Sequence, residues 1–115
     1  MNSLNATARH EIAKHCFDQD LAFRIRNRRN RLLGLWAADQ AGLSPDAAAE
    51  YAVRVVGQGI ELRGDEALVR AIAADSAASA APLDEAAIAA EMDRLAVIAA
   101  RELAAGTASS QLRAA

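Results

Sequence analysis

His10, His15 and Cys16 are the residues of this chain whose types best suit metal or nucleophilic chemistry. Zinc takes three or four protein ligands, and a spacing of five puts the two histidines on different faces of a helix. A cysteine nucleophile needs a base that a third group orients. General acid–base work needs paired titratable groups held in a pocket. The sequence around these three residues, TARHEIAKHCFDQD, is polar and weakly patterned, so they read as surface residues of a terminal arm. No catalytic residue, no metal and no enzymatic activity is expected. Gly57-x-Gly59 resembles a fragment of a dinucleotide loop, but no strand precedes it and the third glycine is misplaced. It reads as a helix end.

The second cluster is basic. Arg24, Arg26, Arg28, Arg29 and Arg31 place five arginines in eight positions, and the chain then turns apolar through Leu32, Leu35 and the single tryptophan, Trp36. Three readings of this run are open. The arginines pair with Asp18, Asp20 and the acidic residues of later helices; or they form a docking face for an acidic protein or a nucleotide phosphate; or they neutralise nucleic-acid phosphates. The last is disfavoured, because the rest of the chain is acidic and no aromatic residues interleave with the arginines. Residues 1–40 carry seven basic and four acidic side chains, whereas residues 41–115 carry six and eleven. If a nucleotide binds, Arg28, Arg29 and Trp36 are the candidates, as a weak ATP or ADP site.

These residues need elements to hold them. Leu21, Ile25, Leu32, Leu35 and Trp36 recur at helical spacing and predict a first helix from Leu21 to Ala41. At the rise of an α-helix it is about 30 Å long. Gly42 stops it, and Ser44-Pro45-Asp46 caps a second helix whose apolar face is Ala48, Tyr51, Ala52, Val55 and Val56. Asp65-Glu66 opens a third, with Leu68, Val69, Ile72 and Ala73 as its core face. Ser76–Pro82 is small and flexible in composition. Asp84-Glu85 opens a fourth, carrying Ile88, Met92, Leu95, Ala99 and Leu103. Trp36 is expected in the core.

About a quarter of the residues are alanine and strand formers are scarce, so the fold class is all-α, a small four-helix bundle with a long first helix. The expected organisation is a mobile amino-terminal arm over residues 1–19, the bundle over 20–105 and a disordered tail over 106–115. One cysteine gives no disulfide framework. No apolar run is long enough to span a membrane and no secretory signal is visible, so a cytoplasmic location is expected.

The run from Arg28 to Ala38, RRNRLLGLWAA, resembles a block of the zeta subunit family, inhibitors of the alpha-proteobacterial F-type ATP synthase. The likeness extends through Asp18-x-Asp20-Leu21-x-Phe23, Asp46-Ala47-Ala48, Tyr51-Ala52, Val55-Val56, Gly64-Asp65-Glu66 and Asp84-Glu85, covering about residues 14–104. It implies a regulatory protein that is not an enzyme. Such a protein sits on the catalytic head of the synthase, against its alpha, beta and gamma subunits, at the inner membrane without inserting into it. The arm inserts between a catalytic subunit pair and the rotor, becomes helical there, and blocks ATP hydrolysis while sparing synthesis. Carried onto this chain, the contact set is Arg9, Lys14, Phe17, Asp18, Asp20, Leu21 and Phe23, extended by Arg24 and Arg28. Where the family's arm has two phenylalanines, this chain has Glu11 and His15. A lost aromatic anchor costs about 2 kcal/mol or more at an interface. The alternative is therefore a divergent paralogue that keeps the bundle as a nucleotide-binding or other interaction module without inhibiting.

Overall fold

The computed structural model describes residues 2–114, with side chains from Ala8 to Gly106. Met1 and Ala115, the outermost residues of the expected arm and tail, lie outside the described residues. Among the described residues there are four helices and no strand: α1 (Asn2–Gln40), α2 (Pro45–Glu61), α3 (Asp65–Ser76) and α4 (Glu85–Ala114). The all-α bundle expected from alanine content and apolar spacing is the observed fold. It measures 65 × 33 × 21 Å, and its long dimension reflects α1.

The helix stops and starts follow local chemistry. Gly42, at φ 73°, ends α1 in a left-handed turn. There Leu43 N–H donates to the Ala38 carbonyl and Gly42 N–H to that of Asp39. Ser44 caps α2, its Oγ accepting from Ala47 N–H at 3.3 Å, with Pro45 in the first turn. Both residue types suit those positions. Gly64, at φ 82°, turns the chain into α3, whose first turn carries Asp65 and Glu66. Acids there face the positive end of the helix dipole. Asp84 Oδ1 accepts from Ala87 N–H at 2.7 Å and starts α4, as a capping carboxylate does.

The first helix does not begin near Leu21, where apolar periodicity sets in, but at Asn2. No glycine or proline occurs from Asn2 to Leu33, and a helix nucleated by packing at its carboxyl half extends at little cost per residue. Likewise α4 runs past Gly106 to Ala114 through alanine-rich sequence. Nor does α2 end at Gly57-x-Gly59; it continues to Glu61.

The core joins one stripe from each helix: Leu33, Ala37 and Ala38; Tyr51, Ala52 and Val55; Leu68, Val69 and Ile72; Ile88, Met92, Leu95 and Ala99. Each fully buried aliphatic contributes about 1.5–3 kcal/mol. Of the faces expected for the later helices, most residues are buried, with Ala48 and Ala73 partly buried against the core, but Val56 of α2 and Leu103 of α4 lie outside it and are only half-buried. In α1 the centre of the face is shifted. Leu33 is fully buried, whereas Leu32, Leu35 and Trp36 are half-buried. Trp36 packs against the core from its edge.

The α1–α2 crossing is tight because Gly34 is there. A Cβ built on it would sit 2.8 Å from the Ala52 Cα and 3.2 Å from Val55. Gly59 makes the second close approach, where a Cβ would fall 2.2 Å from Asn30 Nδ2. The α3–α4 connection, flexible in composition, is tied down. Leu83 N–H donates to Ser76 Oγ at 2.9 Å, Ser76 Oγ donates to the Ala73 carbonyl, and Leu83 packs on the core.

Candidate partner-docking interface

Two of the five arginines are held by the bundle. Arg29, on the buried side of α1, donates through both terminal nitrogens to the two Asp65 oxygens at 2.8 and 3.1 Å. Its Nε donates to Asn30 Oδ1 at 3.1 Å. Such a two-point pair clamps the start of α3 to the middle of α1. The Arg29 hydrogen bond holds the Asp65 carboxyl below the usual carboxylate range. Burial partly opposes this, and the charges of Arg29 and Arg26 add to it. Arg28 pairs with Glu102 of α4 at 2.6 Å, with side chains 39% and 42% exposed. Arg24, Arg26 and Arg31 are exposed and make no ion pair among the described residues. Thus the expected pairing with the third and fourth helices occurs at Arg28 and Arg29. Neither Asp18 nor Asp20 takes part in an ion pair there.

The nucleotide candidates Arg28, Arg29 and Trp36 are not gathered round one cavity. Arg28 lines a surface groove that neither Arg29 nor Trp36 reaches, and both guanidiniums already face carboxylates. Asp65, the partner of Arg29, had one readable signal in sequence, its place as an acid opening the third helix. Asn30 had none. It is 1% exposed, with its Nδ2 unpaired among the described residues. On the far side of the core, burial pushes the Tyr51 hydroxyl well above its ordinary value. The hydrogen bond it donates to Asp75 at 2.9 Å and the charge of Asp75 act in the same direction.

Arg9 to Asp20 are all exposed, on a helix continuous with the packed half of α1. Ile12 is 64% exposed, Phe17 62% and Phe23 46%, a large apolar offering for a small protein. Helix geometry sorts the nine expected contact residues. Lys14, Phe17, Leu21, Arg24 and Arg28 recur at 3–4–3–4 spacing and so share one stripe. Asp18 falls on one flank, and Asp20 and Arg9, three turns apart, share the other. Phe23 turns toward the opposite side, where it lies three turns along from Ile12. What the continuous helix assembles is one basic-apolar stripe, with a second apolar pair behind it.

The described residues thus form a small bundle with open surface grooves and an exposed helical projection. The family described as ATPase inhibitor subunit zeta has a sequence model that matches residues 1–102. The chain belongs to that family. No curated protein and no solved structure matches it. Among the described residues, no helix is long and apolar enough to cross a membrane.

Proposed function

We propose that this chain docks on the catalytic head of an F-type ATP synthase and restrains ATP hydrolysis with the projecting half of α1. The observation that carries this reading is that half itself: Arg9 to Asp20, exposed throughout, continuous with a helix anchored by Leu33, Ala37 and Ala38. At the rise of an α-helix, the stretch up to Asp20 reaches about 30 Å beyond the packed region. That is long enough to enter a cleft between a catalytic subunit and a rotating shaft. No bond is made or broken by the inhibitor. It acts as a rod whose displacement opposes rotation in the hydrolytic direction, and the protein associates with the membrane peripherally, through the synthase.

Phe17 and Leu21 are the apolar anchors of the stripe, and Lys14 and Arg24 give it a positive character suited to an acidic cleft wall, whereas Arg28 at its end is already paired with Glu102. Helix already propagated from the bundle lowers the ordering cost of docking. Each residue that need not be fixed on binding saves about 1–2 kcal/mol. This offsets part of what Glu11 and His15 forgo in aromatic contact.

The test is an ATPase assay of the isolated catalytic head with the full chain and with a chain lacking residues 1–20. Residues 8–20 contribute no side chain to the core, so the bundle should survive their removal. The expected outcome is inhibition by the first and none by the second. Hydrolysis untouched by the full chain at saturation would reject the proposal.

A further inference from the structure

We infer that the outer face of α2 is a second docking surface, which receives an acidic amphipathic helix of the partner to which the arm binds. The inference rests on the docking reading above. α2 is apolar on two sides. One side, Tyr51, Ala52 and Val55, is the bundle core. The other is Ala49, Val53, Val56 and Ile60, at 4–3–4 spacing, which is the seam a helix presents to another helix. Val53 is 73% exposed and Ile60 59%. A bundle that needed only its own core has no use for this second seam, and leaving it in water gains nothing.

Charge says what covers it. Val53 and Val56 form part of a groove of about 450 Å³ whose other walls include Arg24, Arg28, Arg31 and Leu103. An apolar floor rimmed by Arg24 and Arg31, with Arg28 beside them already paired to Glu102, suits a helix with leucine-type residues toward α2 and carboxylates toward α1. Arg24 and Arg31 make no ion pair among the described residues, so their guanidiniums are available to such carboxylates. A basic or neutral helix would leave these charges unmatched under an apolar cover.

The groove is also continuous with the arm. Arg24 and Arg28 belong to the stripe that begins at Lys14 and Phe17, so one unbroken surface runs from the projecting half of α1 onto α2. The two parts divide the work. The arm supplies the obstruction, and the α2 seam supplies affinity that keeps the arm at its site, because linking two contacts makes the second intramolecular.

The experiment uses the full chain and the isolated catalytic head. Val53→Asp combined with Ile60→Asp alters exposed positions only, and an unchanged thermal melt will verify the fold. The expected result is a Kd raised by about tenfold or more, as for loss of apolar anchors at an interface, with inhibition at saturation unchanged. Arg31→Glu is expected to weaken binding several-fold, with a difference that shrinks in high salt. A photo-crosslinker placed at position 53 should capture an acidic helical segment of the head. Binding by the Val53/Ile60 variant equal to that of the parent chain overturns the inference while leaving the inhibitor reading intact. So does capture of a basic segment, or a concentration-dependent dimer of the parent that the double variant abolishes, since the seam then serves a second copy. A parent chain that does not associate with the head overturns both.

Discussion

Alanine substituted for glycine at two helical positions should shift stability in opposite directions, and the reason is the α1–α2 crossing. In a helix interior the change is intrinsically favourable by about 0.8–1 kcal/mol. Gly57 of α2 has nothing within 4 Å of a built Cβ, so Gly57→Ala should realise most of that gain. Gly34 of α1 faces the Ala52 backbone at 2.8 Å and two Val55 carbons at 3.2 Å. Carbon atoms pack at about 3.5–4 Å, so the new methyl must push α2 away from α1 by up to about 1 Å. The displaced atom is backbone and has no rotamer to escape into. Overpacking of this kind costs about 1–3 kcal/mol, which exceeds the propensity gain and leaves Gly34→Ala net destabilised by about 1 kcal/mol. The two variants should therefore differ by about 2 kcal/mol, or several degrees in Tm for a chain of this size. Urea titration followed by far-ultraviolet circular dichroism measures both against the parent. A Gly34→Ala chain as stable as the Gly57→Ala chain would refute the crossing geometry, because propensity is common to the pair and only the contact differs.

Other perturbations test the remaining parts. Asp65→Asn should cost about 1–2 kcal/mol at neutral pH, since it halves the Arg29 clamp while water still reaches the exposed side of residue 65. The Asp65 carboxyl is held below its unfolded value, so its contribution is present in full above about pH 4. It is lost as pH falls through the lower folded value. Acid titration of stability should accordingly separate parent and variant at neutrality and bring them together in strong acid. Ile72 has no exposure, and Ile72→Ala should cost about 2–5 kcal/mol by calorimetry or urea titration. A loss under about 1 kcal/mol would remove it from the core. Phe17→Ala should leave the melt unchanged, because the ring is exposed. It should nonetheless weaken inhibition by about 2 kcal/mol, roughly thirtyfold in the half-inhibitory concentration. Unaltered inhibition would exclude the Phe17 stripe as the contact.

Much of this architecture is written locally. Ser44-Pro45, Gly42, Gly64 and Asp84 mark where helices stop and start, because caps and left-handed turns depend on a few adjacent residues. Most of the later core faces follow from apolar spacing, though not the placing of Val56 and Leu103 outside the core, and the block from Arg28 to Ala38 suffices to suggest the zeta family. Packing decided the rest. Leu32, Leu33 and Leu35 are equivalent in hydrophobicity, and only the packing of the other helices on α1 makes Leu33 the buried one. Five neighbouring arginines of one type acquired different roles through distant partners, Asp65 for Arg29 and Glu102 for Arg28. Periodicity could not reveal that α1 begins at Asn2, because the exposed half packs on no core that would impose a regular apolar repeat and draws its stability from the half that is packed. Local propensity depends on neighbours in the chain, whereas burial and charge pairing depend on neighbours in space, and the latter exist only once the helices have met.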